Sequence, residues 1–217
     1  MEKNLHALVL GASGATGKEL LKLILKNSNF NKVSLFSRRT ISINHKKIEK
    51  HKIDFSRLDK YKDLLKGDIL FSAFGTTRKE AGSKKQQYLV DYTYQYEFAK
   101  MASENGVSNY SLVSSFGANE KSLFFYPKIK GELEESVKML NFNKIQIFQP
   151  PTLIRQPELM RAGEKLGIKI FKKLNKIGIL NSQKPLPVKD LAKIMIIEAL
   201  SKKSKKINIY RAMDLFV

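Results

Sequence analysis

The sequence predicts a doubly wound α/β fold: a parallel sheet of about six to seven strands, helices on both faces and a small C-terminal cap. Three observations lead to this expectation. Apolar strand-like segments alternate with amphipathic helical segments through the first two thirds of the chain, as in consecutive βα units. A glycine-rich turn at residues 11–17 joins the first strand to the first helix. The length of 217 residues suits one domain, residues 1–217.

The first half of the chain contains four of the expected strands. Residues 5–10 are continuously apolar apart from one histidine, and residues 15–27 then show apolar side chains at helical spacing. Further strands are expected at 33–36, near 52–54 and at 68–74, with a helix at about 57–65. This order already predicts helices on the faces of a parallel sheet.

The second half continues the alternation as far as residue 150. A long helix is expected at 84–105 because Asn105-Gly106 is a typical helix end. The next elements are a strand at 110–114, a helix at 127–140 and a strand at 144–149. Beyond Pro150-Pro151 we expect helices at 159–175 and 188–200 and a strand at 207–210. We assign residues 151–187 to a small substrate-side cap.

Composition excludes several classes of protein. The chain has no cysteine, and its three histidines lack metal-ligand spacing, so we expect neither disulfides nor a metal site. No run of 18 apolar residues occurs and the first strand begins at residue 5; we therefore expect no membrane span, no signal peptide and, by default, a cytoplasmic location. The net charge of +20 comes from scattered lysines. It predicts an anionic cofactor or substrate but no specific nucleic-acid partner.

The most informative motif is the glycine-rich turn. Residues 11–17 read Gly-Ala-Ser-Gly-Ala-Thr-Gly and follow the first apolar run directly. A helix that begins after such a turn presents free N–H groups to a pyrophosphate. Gly11 can form the tight turn, Gly14 can admit the phosphates and Gly17 can pack the helix against the strand. The spacing is G-x-x-G-x-x-G, yet the context favours dinucleotide binding by a Rossmann-type sheet.

An arginine pair after the second strand indicates which dinucleotide is bound. Ser37-Arg38-Arg39 stands where NAD-binding folds place an acidic ribose ligand. Guanidinium groups suit a 2′-phosphate instead, so NADP (NADPH) is expected. The alternative is an ordinary basic surface pair in a lysine-rich chain.

Tyr126 and Lys130 are candidates for redox chemistry. At i and i+4 on one helix, the two side chains share a face. A nearby ammonium favours the phenolate, so Tyr126 can exchange a proton with a substrate oxygen. Pro127 is compatible with this only if Tyr126 lies in the first helical turn. Ser114 and Ser115 end the fifth strand, where either hydroxyl can donate to the reacting oxygen. We favour Ser115 as the donor, and the alternative role for the other serine is to cap a turn.

These segments together resemble the short-chain dehydrogenase/reductase superfamily, and within it the atypical Tat-interactive-protein-like oxidoreductases. The similarity extends over nearly the whole chain. It rests on these motifs: L-G-A-S-G-A-T-G (10–17), S-R-R (37–39), F-G-T-T-R-K-E-A-G (74–82), S-S-F-G-A (114–118), Tyr126 through K-G-E (130–132), F-Q-P-P-T-L-I (148–154) and R-A-G-E (161–164). The motifs G-T-T-R-x-x-A-G, within residues 74–82, and S-S-x-G-A are more specific to this family than the glycine-rich turn.

The resemblance implies roles for individual residues. Cofactor contacts are implied at Ser13, Gly14, Ala15, Thr16, Arg38, Arg39, Asp54, Phe74, Gly75, Leu153 and Arg161. Tyr126 would be the proton donor and acceptor, and Lys130 the partner of the nicotinamide ribose. This chain has Gln149-Pro150-Pro151 where relatives usually have Arg-Pro-Gly, which leaves the placement of the nicotinamide open.

The expected function is NADP-dependent oxidoreduction of an unidentified small carbonyl or hydroxyl substrate, by a monomer or homodimer. The alternative is a non-catalytic NADPH-binding sensor or regulator that acts through protein partners. A sugar-nucleotide epimerase is less favoured because the C-terminal segment is short. Nucleic-acid binding is suggested by the net charge alone.

Overall fold

A seven-stranded parallel sheet forms the centre of the molecule. The computed structural model describes residues 4–160, 184–202 and 205–216. The strands of the sheet are β1 (Leu5–Leu10), β2 (Phe30–Ser37), β3 (Ile48–Lys52), β4 (Ile69–Ser72), β5 (Asn109–Val113), β6 (Lys144–Phe148) and β9 (Ile207–Tyr210). Their order is β3-β2-β1-β4-β5-β6-β9, and every neighbouring pair is parallel. The predicted fold class is confirmed.

The helices surround this sheet. They are α1 (Ala15–Lys26), α2 (Arg78–Ala81), α3 (Lys84–Tyr88), α4 (Tyr94–Glu104), α5 (Phe125–Lys138) and α6 (Val188–Leu200). A π turn, Leu89–Thr93, joins α3 to α4, so the single helix expected at 84–105 is interrupted by a wider turn. A two-stranded parallel ladder, β7 (Leu153–Ile154) with β8 (Leu186–Pro187), lies outside the main sheet.

Alternate side chains of each strand face different helices. Ala7 and Val9 of β1 pack in a core with α1 and α6, whereas Leu8 and Leu10 pack with α4 and α5. Both faces of the strand are therefore buried, as expected for a parallel sheet with helices on both sides. This arrangement explains why β1 and β4 are nearly continuous apolar runs in the sequence.

Two predicted elements of the first half need correction. The third strand, expected near 52–54, is Ile48–Lys52, because Asp54 caps the next element by accepting a hydrogen bond from Ser56 N–H. The helix expected at 57–65 is a 3₁₀ segment, Phe55–Leu64, with a non-helical residue at Arg57. β3 is an edge strand with mostly exposed or half-buried residues, so it has little apolar signal.

The glycine turn after β1 is held by close backbone packing. Gly11 has φ +91°, and a Cβ there would lie 2.5 Å from the carbonyl oxygen of Ala73. A Cβ on Gly17 would lie 2.1 Å from the carbonyl oxygen of Gly11. No side chain fits at either position, so α1 and the end of β4 approach the turn at backbone distance.

The predicted cap is described only in part. Its first residues form β7 and a 3₁₀ turn, Pro157–Leu159, and its last residues form β8. The Gln156 amide donates to Ala15 O (2.9 Å) and to Glu19 Oε1 (2.8 Å), which ties this segment to α1. The helix expected at 159–175 falls almost entirely outside the described residues, and the cap stays a prediction.

Gly17→Ala is expected to lower the free energy of unfolding by roughly 1–3 kcal/mol, because the added methyl overlaps the Gly11 carbonyl. Gly14→Ala is the matched control, since a Cβ there has its nearest atom at 3.4 Å, an ordinary contact. Urea unfolding of both variants measures the difference. Equal losses in the two variants would contradict the packing described for Gly17.

Candidate functional site

A continuous cleft runs along the carboxyl ends of the central strands. Its two parts, with volumes of about 660 Å³ and 350 Å³, share lining residues from the glycine turn and from the segment after β4, namely Ser13, Phe74, Gly75, Thr76 and Glu80. The cleft lies where the chain order of the sheet reverses, between β1 and β4. This is where open parallel sheets bind ligands.

The larger part of the cleft is basic at one end. Gly11, Arg38, Arg39, Thr40 and Ile41 line it, and both arginines are exposed. The Ser37 hydroxyl donates to the Arg39 carbonyl and so fixes the turn after β2. Among the described lining residues Glu80 is the only acid, and it belongs to the opposite side, after β4. The end at β2 therefore suits an additional anionic group.

The smaller part of the cleft brings the glycine turn close to the tyrosine and lysine. Gly14, Ala15 and Thr16 line it from α1, Tyr126 and Lys130 from α5, and Leu153 from β7. Tyr126 and Pro127 lie in the first turn of α5, where proline is tolerated. Residues far apart in the sequence thus surround one cavity.

The ammonium of Lys130 is buried. The side chain is 2 % exposed, and its Nζ donates to Val113 O at 3.2 Å. Burial lowers the pKa of Lys130, while the charges of Asp91 and Glu134 oppose this shift. A buried cation is stable only with such partners, so these two carboxylates belong to the site as well.

Glu134 organises a polar cluster near Lys130. It is 3 % exposed, accepts a hydrogen bond from the Ser114 hydroxyl, and accepts from Gln149 Nε2 at 3.1 Å and 2.9 Å. Burial raises the pKa of Glu134, although both hydrogen bonds oppose the shift. Gln149 is the first residue of the segment where relatives usually have Arg-Pro-Gly, and in this chain its amide is hydrogen-bonded to Glu134.

The two serines after β5 have different environments. The Ser114 hydroxyl is directed to Glu134, whereas among the described residues Ser115 Oγ has one long contact, 3.4 Å, to Phe116 O. Both serines and Tyr126 line a neighbouring cavity of about 380 Å³. Ser115 thus has the hydroxyl that is less engaged within the protein.

Two predicted site residues lie outside the cleft, and a third is not among the described residues. Asp54 accepts hydrogen bonds from Ser56 N and Oγ (2.9 and 2.7 Å), which lower its pKa, and it lines neither part of the cleft. Gly17 packs against the turn, without lining the cleft. Arg161 falls outside the described residues.

Asp91 is a site residue that sequence reasoning missed. It lies in the π turn, is 1 % exposed and accepts a hydrogen bond from Thr76 N–H at 3.3 Å. A Cβ on Gly75 would lie 2.9 Å from its Oδ1, so Asp91 fills the space beside that glycine. The available signal was an acidic residue within Leu89-Val90-Asp91, an otherwise apolar stretch of helix.

The residues present fit a dinucleotide. Gly14 caps α1 without a side chain of its own, and the first turn of α1 has no acidic residue. The N-terminal N–H groups of α1 and the positive end of its dipole therefore face an opening that a pyrophosphate can enter. The cleft continues from this helix end to the arginines on one side and to Tyr126 on the other. The fold and site define a Rossmann-type nucleotide-binding protein.

Comparisons with known proteins agree with this class. A family model described as NAD(P)H-binding matches residues 11–141. Protein HTATIP2 of Rattus norvegicus is 37% identical over 173 residues, 78% of this chain and 71% of that protein. The protein named FMP52, mitochondrial, of Candida albicans is 31% identical over 198 residues, 88% and 86% of the two chains. The chain therefore belongs to the NAD(P)H-binding family.

Solved structures show the same fold. A short chain dehydrogenase family protein from Francisella tularensis gives a TM-score of 0.65 at 18% identity, with 94% of this chain and 96% of that chain covered. The Bordetella bronchiseptica enzyme WbmH, in complex with NAD+, gives 0.71 at 13% identity, with 95% and 75% covered. These two likenesses show the fold, and the HTATIP2 relative confirms the expected resemblance to Tat-interactive-protein-like proteins.

The sequence predicts that the chain has no membrane span and lies in the cytoplasm. Among the described residues, every helix is too short or too polar to cross a bilayer. The names of fungal relatives include the word mitochondrial. The cytoplasmic location stays a prediction.

Glu134→Gln is expected to change how stability depends on pH. Because burial raises the pKa of Glu134 in the folded protein, burying the ionised carboxylate costs more free energy than burying the protonated carboxyl. Wild type should therefore lose stability relative to Glu134→Gln as the pH rises above about 4.5, by at most about 1.4 kcal/mol per pH unit. Denaturant unfolding at several pH values measures this difference.

Glu135→Gln is the control, since it removes an exposed carboxylate from the same helix. The unfolding midpoints of all three proteins are compared at each pH. A difference between wild type and Glu134→Gln that stays constant with pH would contradict the burial effect.

Proposed function

We propose that the protein is an NADP-dependent oxidoreductase that acts on a small carbonyl or hydroxyl compound, with Tyr126 as proton donor and acceptor. The observation that carries this proposal is the shared lining of one cavity by Tyr126, Lys130 and the N-terminal turn of α1. A bound nicotinamide supplies or accepts two electrons as a hydride. The protein supplies the proton and orients the substrate and the cofactor.

The preference for NADP over NAD is supported by the charges around the larger part of the cleft. Arg38 and Arg39 follow β2, and the described residues of that turn include no carboxylate to bind a ribose hydroxyl. Guanidinium groups bind phosphate in bidentate geometry. A 2′-phosphate at this end would meet both arginines.

Tyr126, Lys130 and Ser115 have separate tasks in this proposal. Tyr126 gives its proton to a carbonyl oxygen or takes one from a hydroxyl. Lys130, oriented by Val113 O and by the charges of Asp91 and Glu134, binds the ribose and favours the phenolate form of Tyr126. Ser115 donates to the reacting oxygen, since the Ser114 hydroxyl bonds Glu134.

Replacing both arginines, Arg38→Gln/Arg39→Gln, is expected to weaken NADPH binding by at least about tenfold and to leave NADH binding nearly unchanged. Each guanidinium lost removes a charge-assisted hydrogen bond to the 2′-phosphate. The control Lys46→Gln/Lys60→Gln removes the same charge from exposed positions outside the cleft. Fluorescence titration measures both affinities; equal wild-type affinity for NADPH and NADH would contradict NADP preference.

Tyr126→Phe is expected to reduce turnover by at least about 100-fold without changing NADPH affinity, because only the proton donor is removed. Tyr61→Phe, outside the cleft, is the control for loss of a tyrosine hydroxyl. NADPH oxidation is followed at 340 nm with a panel of aldehydes and ketones. Full turnover by Tyr126→Phe would exclude this tyrosine from catalysis.

A second candidate function, NADPH sensing through a protein partner, is favoured by the surface beside the cleft. The loop that enters α5 exposes Leu123 completely and Phe124 to 77 %, immediately before the residues that line the cavities. Exposed apolar residues at a cleft entrance are typical of contact surfaces. NADPH binding without oxidation by any compound of the panel would favour this function.

A further inference from the structure

A third cavity extends the site on the outer side of Tyr126. Its volume is about 500 Å³, within the range of small-molecule pockets. Residues 76–78, Lys84, Gln87 and Phe125 line it together with Tyr126. Because Tyr126 also lines the cleft with the glycine turn, a molecule in this cavity reaches the same side chain that the cofactor cleft reaches.

The ionisable groups of this cavity are cationic apart from the tyrosine. Arg78 and Lys84 are exposed, and neither forms an ion pair with a described residue. The ammonium of Lys84 lies 5.6 Å from the centre of the Phe125 ring, which holds the charge at the cavity. The nearby acid Glu80 completes a capping box with Thr77 and lines the cofactor cleft instead.

A buried amide adds to this cationic pair. Gln87 lines the cavity and is 4 % exposed, and its side chain forms no hydrogen bond with a described residue. The amide can therefore form a hydrogen bond with a polar ligand in the cavity. A guanidinium, an ammonium and an amide around one opening form a site for a carboxylate or phosphate.

We propose that this cavity binds the anionic group of the substrate, so that the reacting compound is an aldehyde or ketone bearing a carboxylate or phosphate. This inference rests on the proposed oxidoreductase function. Arg78 and Lys84 bind the anion, and NADPH, when bound, would supply the hydride to the carbonyl carbon. The carbonyl oxygen takes the proton of Tyr126, which gives an alcohol and NADP⁺.

Binding is tested first without chemistry. NADPH-saturated protein is titrated calorimetrically with benzoate, phenyl phosphate and benzamide. None of the three has an aldehyde or ketone group to be reduced, and benzamide is the uncharged control. At least one anion should bind tenfold or more tightly than benzamide, and the better anion identifies carboxylate or phosphate as the preferred group. Arg78→Gln/Lys84→Gln should abolish this preference. Lys79→Gln/Lys85→Gln removes the same charge from neighbouring residues outside the cavity and should retain it.

Turnover is then compared for benzaldehyde and 4-carboxybenzaldehyde. Wild type should favour the charged aldehyde at least tenfold in kcat/KM, and Arg78→Gln/Lys84→Gln should lose this preference through a higher KM. If neither aldehyde is reduced but an anion binds through Arg78 and Lys84, the oxidoreductase function fails and the anion site stands. If both aldehydes react alike and both anions bind like benzamide, the anion site is overturned and the oxidoreductase function stands.

Discussion

The backbone contact between the turn after β1 and the end of β4 is the constraint on which the cleft depends. Gly11 and Ala73 approach so closely that a single methyl group would separate them, and Gly17 keeps α1 equally close to the same turn. Since β1 and β4 are neighbours at the point where strand order reverses, this contact fixes the base of the opening. The N-terminus of α1 and residues 74–76 then face each other across it.

A second dependence joins α5 to the sheet through buried charge. Lys130 reaches Val113 O at the end of β5, and Glu134, one turn further along α5, holds Ser114 and Gln149. Replacing only one member of such a cluster leaves a buried charge without compensation. A Cβ on Gly131 would lie 2.2 Å from Glu120 N, so this part of α5 also packs against the preceding loop. The position of Tyr126 follows from these contacts.

The sequence predicted the central sheet well where β1 and β4 are buried on both faces and read as nearly continuous apolar runs. It failed at β3, an edge strand composed largely of polar residues, and at the 3₁₀ segment that follows. The sequence pattern predicted a site formed by Tyr126, Lys130 and the glycine-rich turn, and in the structure all three line one cleft. Asp91 and Glu134 were missed because an acid in a helix normally faces water; only the tertiary fold buries these two.

The fold changes what the net charge of +20 means. In the sequence the lysines are scattered, and this pattern alone suits any anionic partner. In the structure, cations line both ends of the site, Arg38 and Arg39 at the end near β2 and Arg78 and Lys84 beyond Tyr126. The acids Asp91 and Glu134 lie behind Lys130 and act on its charge. The site thus has two separate cationic ends with Tyr126 between them. This arrangement suits two small anionic molecules that meet at Tyr126 better than it suits one extended polyanion.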